Sequence, residues 1–393
     1  MQTSQQDTLG VSEKEPGLRY YLSREPLILT LLTALAVLSF LGVSELSRIY
    51  HAQLQSLGNR WFTRGVADLK QRQFERAVSE FRTALLYSRD NYDYQLDLAE
   101  ALIGMKRLNE AYAYLINLWE REPENGLVNL ELARIAVQRG ETERALRYYH
   151  NAIYAIWPGD QEVQGRNTRL ELIRYLLSID ARTQAQSELI ALAANLDDDP
   201  SMHATVGDLF IQAQDYEHAL AEYRLSLRLD HQNLAALAGA GLAAFELGRY
   251  DVAQHYLQAA LAANPNETES SERLGTAELV LKTDPFRRGI SVDQRDRIVI
   301  EAFDAAGERL KACPAAGISK GTALAAMSQL TLAEAWTKLK PQITVQSLRR
   351  NPDLVDAAMS LVFDIERQAK AACGPATGVD LALLLISKLH EGN

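Results

Sequence analysis

Residues 58–91 read GNRWFTRGVADLKQRQFERAVSEFRTALLYSRDN, and six of them set a frame: Trp61, Gly65, Phe74, Ala77, Phe81 and Ala84. With Gly58 as position one, Ala77 is the twentieth residue. Ala111 and Ala145 follow at steps of 34, Ala185 after 40, and Ala219 and Ala253 at 34 again. The eighth position then holds Gly65, Ala99, Ala133, Ile173, Gly207 and Gly241, and the twenty-fourth holds Phe81, Leu115, Tyr149, Leu189, Tyr223 and Leu257. Small residues at the eighth and twentieth positions let two helices approach closely. A large residue at the twenty-fourth fills the space between them. Pro123 and Pro265 at the thirty-second position, and Pro158 one later, stop the second helix.

This frame, over residues 58 to 267, resembles the tetratricopeptide repeat. The resemblance implies an all-α fold, a right-handed superhelical solenoid of stacked helical hairpins. The fourth repeat departs from it: Ile173 stands where a small residue belongs, and residues 160–165 hold the excess over the period, so altered packing is expected there. A seventh unit starts in phase with Gly275 and is interrupted at Asp284, Pro285 and Phe286.

The resemblance also implies a concave groove lined by the first helix of each repeat. Its inward positions are Asn59, Phe62, Val66 and Leu69 in the first repeat. In the second they are Asp93, Leu96, Glu100 and Ile103, and in the third Leu127, Leu130, Arg134 and Val137. The Lys and Asn pairs with which some members clamp a terminal carboxylate are absent at these places. Apolar residues interleaved with Asp93 and Glu100 suit an extended or helical protein segment with apolar anchors and some basic character. The alternative for the apolar positions is packing against the next repeat.

Residues 26–44 carry no charge and lie between Glu25 and Glu45. As a helix they span roughly 28 Å, close to the hydrocarbon thickness of a bilayer. The preceding 25 residues contain Asp7, Glu13, Glu15 and Glu25, unlike the short basic start of a signal peptide, and the apolar residues run all round the helix, unlike a core helix. Hence a flexible tail at 1–25, a transmembrane helix at 26–44, a juxtamembrane linker at 45–57, the solenoid at 58–285 and a further helical region at 286–393 are expected. Lys14, Arg19 and Arg24 before the span balance Arg48, Arg60 and Arg64 after it, so flanking charge does not orient it.

Beyond residue 285 a self-match at an offset of 60 replaces the shorter period. Asp293, Asp296, Phe303, Asp304 and Cys313 match Asp353, Asp356, Phe363, Asp364 and Cys373. Each copy reads as a long helix, a Pro and Gly stop, and a second helix. Stacked copies would set the ends of the long helices side by side, so Cys313 and Cys373 are expected to form a disulfide; two buried thiols in a reducing compartment are the alternative. A disulfide places residues 45–393 on the extracytoplasmic or periplasmic side of a cell or inner membrane.

Apolar residues are 47% and charged residues 23%, which excludes global disorder. A net charge of −10 lacks the basic footprint of a nucleic-acid binder. No catalytic, cofactor or metal constellation stands out. Residues 239–244 approach a dinucleotide fingerprint and 317–322 hold fragments of a phosphate loop, but both read better as packing glycines and a helix stop. The expected function is a non-enzymatic, membrane-tethered scaffold that binds a protein or peptide through the concave surface and requires no cofactor. A permanent structural subunit of a larger envelope complex is the alternative, and an enzyme with a site in the carboxyl-terminal region a third.

Overall fold

A computed structural model describes the backbone of residues 18–313 and 323–390, and side chains outside 18–27 and 323–329. The tail expected at 1–25 therefore lies outside the described residues up to residue 17, as does the stretch 317–322. Among the described residues every regular element is helical. They form two compact units, one ending at Thr168 and one beginning at Arg169.

The first unit holds α1 (Leu18–Lys70), α2 (Phe74–Tyr87), α3 (Tyr92–Gly104), α4 (Leu108–Arg121), α5 (Gly126–Gln138) and α6 (Thr142–Ile153). Helix α1 runs unbroken through residues 26–57, so the apolar segment and the expected linker are one continuous rod. An 18-residue window within Ile28–Lys70 has a mean hydropathy of 2.0 and is unburied; by length and composition it could cross a membrane. The end of α1 pairs with α2, α3 with α4, and α5 with α6. Their interior holds Ala77, Phe81, Leu98, Ala99, Ala111, Leu115 and Leu132.

The second unit repeats this hairpin with α8 (Arg182–Ala193), α9 (Pro200–Gln212), α10 (Tyr216–Leu229), α11 (Leu234–Glu246) and α12 (Tyr250–Ala263). Helix α7 (Gln161–Ser178) contains the division between the units. The eighth and twenty-fourth positions meet as the frame demands. A Cβ on Gly65 would lie 2.6 Å from the Phe81 ring, one on Gly207 2.7 Å from Tyr223, and one on Gly241 2.6 Å from Leu257. Gly239 likewise abuts the Tyr223 ring, so the apparent fingerprint at 239–244 is helix packing. Ile173 is fully buried beside Leu170 and Leu189. The excess residues of the fourth repeat lengthen the loop after α6 and the start of α7: Asp160 caps the helix through the Glu162 and Val163 amides, and 161–165 are helical.

Two devices recur at each hairpin. The turn within a repeat places its fifteenth residue in the left-handed region: Arg72, Lys106, Gly140, Asp180, Gln214 and Gly248 have φ between 58° and 71°. The next amide reaches back five residues, as in Gln73 to the Asp68 carbonyl and Arg107 to Leu102, both 2.9 Å, closing the helix. The thirty-fourth residue caps the following helix. Asn91, Asn125 and Asn233 accept from Tyr94 (3.0 Å), Val128 (3.1 Å) and Ala236 (3.1 Å) amides.

Helix α13 (Thr268–Thr283) opens the seventh unit without a sequential partner. It packs instead on α18 (Gly378–His390), with Ala277 and Val280 against Ala382, Leu383 and Ile386 in one core. The carboxyl ends of both helices meet, His390 beside Phe286 at 4.6 Å, whereas a repeat's second helix would bring its amino end there. Between them lie α14 (Val292–Ala312), α15 (Ala323–Leu339), α16 (Val345–Arg350) and α17 (Asp353–Cys373). Helices α14 and α17 are both 21 residues long and lie side by side, parallel. Asp293 at one end pairs with Arg349, and at the other Cys313 and Cys373 meet at disulfide distance, Cα to Cα 6.0 Å.

Candidate interaction groove

Three successive first helices of the first unit present their inner faces to a groove of about 690 Å3. Helix α1 contributes Phe62, α3 contributes Tyr92, Asp93, Leu96 and Asp97, and α5 contributes Leu127. Phe62 is fixed from below: it stacks on Tyr94 at 4.8 Å and leans on Phe81 at 5.7 Å.

The far wall comes from the loop after α6. The Ile156 amide donates to the Glu124 carbonyl (2.9 Å) and the Gly126 amide to the Ile156 carbonyl (3.0 Å), an isolated parallel bridge that ties this loop to the start of α5. Trp157 folds under the bridge against Gly126, where a Cβ would fall inside the indole, and its Nε1 donates to the Ala152 carbonyl at 2.8 Å. Ile156 stays 63% exposed and, with Pro158, faces the groove. An exposed isoleucine on a bridged loop is a fixed apolar contact surface.

The floor is acidic. Asp93, Asp97 and Glu122 line the groove, and none of the described residues lining it is basic. Burial pushes the Asp97 carboxyl up to about 6, with Glu100 and Asp93 adding repulsion. Burial likewise raises the Tyr92 phenol, helped by Glu122. A cation docking here would relieve this repulsion, whereas an anion would add to it.

Of the residues expected from sequence, the groove brings together Phe62, Asp93, Leu96 and Leu127. Asn59 accepts a 2.5 Å hydrogen bond from the Tyr94 hydroxyl. Val66, Leu69 and Ile103 rest half-buried on the unit's core. Leu130 is itself buried, so it offers a partner little surface. Arg134 pairs with Glu131 at 2.6 Å, and Glu100 is exposed one turn beyond Leu96. Asp97 escaped the sequence reading although it stands next to Leu96 and one turn from Asp93. Ile156 and Trp157 escaped it because they lie in the loop after α6, outside the first-helix positions that the resemblance assigns to the groove. A second depression of about 840 Å3 lies between α2 and α4, lined by Arg82, Arg89, Arg121 and Leu86. Among the described residues no cluster of three His, Cys, Asp or Glu is placed to hold a metal.

Family models described as tetratricopeptide repeat match residues 68–118, 102–155 and 239–284. The chain carries tetratricopeptide repeats. It is 25% identical over 183 residues, 46% of its length, to the inactive TPR repeat-containing thioredoxin TTL3 of Arabidopsis thaliana. It is 24% identical over 199 residues, 49% of its length, to the tetratricopeptide repeat protein 21 homolog of Caenorhabditis elegans. The matched parts are 25% and 14% of those proteins, so the chain spans a quarter or less of the curated relatives it matches. Among solved structures, the C-terminal part of a TPR repeat-containing protein from Cytophaga hutchinsonii is similar at 12% identity and a TM-score of 0.44, covering 61% of this chain and 92% of that one. Tetratricopeptide repeats bind peptides or proteins, and stacked hairpins of this kind serve as interaction scaffolds.

Proposed function

We propose that this chain is a membrane-tethered interaction scaffold whose first unit binds a basic protein segment with apolar anchors. One observation carries the reading: Phe62, Leu96 and Ile156 flank an acidic floor in one open groove. Apolar anchors would sit on Phe62, Leu96 and Ile156, and a Lys or Arg would reach Asp93, Asp97 or Glu122. The partner makes and breaks no covalent bond here; the groove is a binding surface, not a reaction site.

The tether is the apolar stretch at 26–44, continuous with the helix that supplies Phe62, so the groove is held on a stiff stalk rather than a loose linker. Residues 58–285 carry the repeats, and 286–393 close the second unit, α18 packing on α13 in one core. The pairing of Cys313 with Cys373 favours an oxidising compartment, and hence residues 45–393 on the extracytoplasmic side. Reporter fusions to the carboxyl terminus test the side: signal only from a cytoplasm-specific reporter would reverse it.

The binding reading is tested by recovering partners from detergent-solubilised membranes with the parent chain and with a Phe62→Ala, Asp93→Lys double variant. Equal thermal unfolding with lost partner supports the groove. Undiminished recovery by a folded variant places binding elsewhere.

A further inference from the structure

Glu366 lies on the buried face of α17, one turn from Val362 and Ala369, and is 0% exposed. Neither of its carboxyl oxygens has a hydrogen-bond partner among the described residues. A carboxylate there gives up water and gains nothing in return, so the uncharged acid is the favoured form. Burial, and then the charge of Asp380, push its titration up to about 7 from the ordinary 4.5, with Arg309 acting the other way.

Four helices pack on α17, and their charged groups leave Glu366 without a counter-charge in contact. From α14, Arg309 turns to α18 instead: its Nε lies 3.4 Å from Asp380, and its Nη2 donates to the Gly374 carbonyl at 3.5 Å. From α18 comes Asp380, itself raised by burial. Glu334 and Lys338 of α15 and Arg350 of α16 are exposed, and Arg349 is held by Asp293 at the opposite end of the helix pair. On α17 itself, Asp364, Arg367 and Lys370 are exposed. The meeting of Cys313 and Cys373 ties α14 to α17 at this end. Helix α18 has no such tie. The chain bends by 120° between α17 and α18, and Gly374 and Gly378, with φ 100° and 57°, have open space around their Cβ positions. Helix α18 is therefore the element that gives way.

We infer that Glu366 is a pH-sensitive latch on the end of the repeat array. Uncharged, it lets α18 close on α13; ionised, its demand for water and its repulsion from Asp380 drive α18 off that seat. Closed, α18 covers Ala277 and Val280 of α13, and its Leu389 fills the space that a Cβ on Gly248 would take. Open, it uncovers the last helix of the array. The sign follows from the raised value: the closed state holds its proton more tightly than the open one. The contribution to closure is fully present below 4.5 and is lost as pH rises through about 7. The inference depends neither on the groove nor on the membrane tether.

The test is hydrogen exchange of the full-length chain in detergent, with Cys313 and Cys373 oxidised, from pH 6 to pH 8 and corrected for the intrinsic exchange rate. The opening equilibrium of α18 should rise roughly tenfold over this range, while α8, remote from the latch, stays unchanged. Glu366→Gln should flatten the rise and leave α18 more protected than in the parent at pH 8. His390 on α18 faces Asp284 at 3.7 Å and remains in this variant, so a rise that survives Glu366→Gln would assign the change to that contact and overturn the latch. Asp380→Asn gives a second reading that does not alter Glu366: without the neighbouring charge, the midpoint of α18 opening should move to higher pH, because the carboxyl that ionises no longer meets repulsion across the interface and its charged form is tolerated without opening. No pH dependence of α18 in the parent, an equal rise in α8, or an Asp380→Asn midpoint that stays in place would each overturn the inference.

Discussion

The Trp157 indole occupies the space that a Cβ on Gly126 would take, and its Nε1 is tied to the Ala152 carbonyl at 2.8 Å. This pair locks the loop that raises Ile156 into the groove wall. Gly126→Ala should force the indole out and break the Ile156 bridge. Overpacking of this kind costs about 1–3 kcal/mol, so thermal unfolding of the first unit should shift downward and partner recovery should fall with it. A variant with unchanged unfolding would mean that the wall yields without cost.

The repeat turns offer a cleaner backbone test. Gly140 has φ 70° with open space around its Cβ position, so Gly140→Ala should destabilise by about 1 kcal/mol through conformation alone. Lys106 holds nearly the same conformation at φ 59° with a side chain already present. Lys106→Gly should gain up to about 0.5 kcal/mol, the relief of left-handed strain being partly offset by the freer unfolded chain. Denaturant melts of both variants decide the signs.

Asp97 gives the groove a pH dependence. Its folded carboxyl titrates at about 6, raised above the ordinary 3.8 first by burial and then by Glu100 and Asp93. A raised folded value means that the native state holds its proton longer than the unfolded chain. Stability from this group is therefore fully present below 3.8 and is lost as pH rises through about 6. Asp97→Asn should raise the thermal midpoint near neutral pH and leave it unchanged near pH about 4. A cationic partner should bind more tightly as pH rises over the same window, because it meets the ionised carboxylate.

In the closing region, Cys313 and Cys373 join the ends of two parallel helices across 60 residues of sequence. A loop of that length is worth up to about 4 kcal/mol in the chain-entropy account. Cys313→Ala with Cys373→Ala should lower the thermal midpoint of oxidised protein, and a reductant should lower the parent to the same value. Two free thiols in protein taken from its native compartment would contradict the bond.

The hairpins were legible because Ala77 and its counterparts recur with Gly65 and Phe81 in phase, and close packing allows few other residues there. The adjacency of the two cysteines was legible from the offset of 60. The pairing of α13 with α18 was not, since the partner lies about a hundred residues away and no local pattern encodes it. The left-handed turns were hidden because Arg72, Lys106, Asp180 and Gln214 stand where Gly would announce them. Asn91, Asn125 and Asn233 recur at one position and were there to be read as helix caps. Much of the groove was missed because its far wall comes from the loop after α6 rather than from a first helix.

The most direct measurement places a photo-crosslinking residue at Ile156 on the groove wall and, separately, at Leu86 on the outer side of α2, 85% exposed. Irradiation of intact membranes should attach the partner at Ile156 and not at Leu86, and Asp93→Lys should remove the adduct. Attachment at Leu86 with none at Ile156 would contradict the groove as the binding surface.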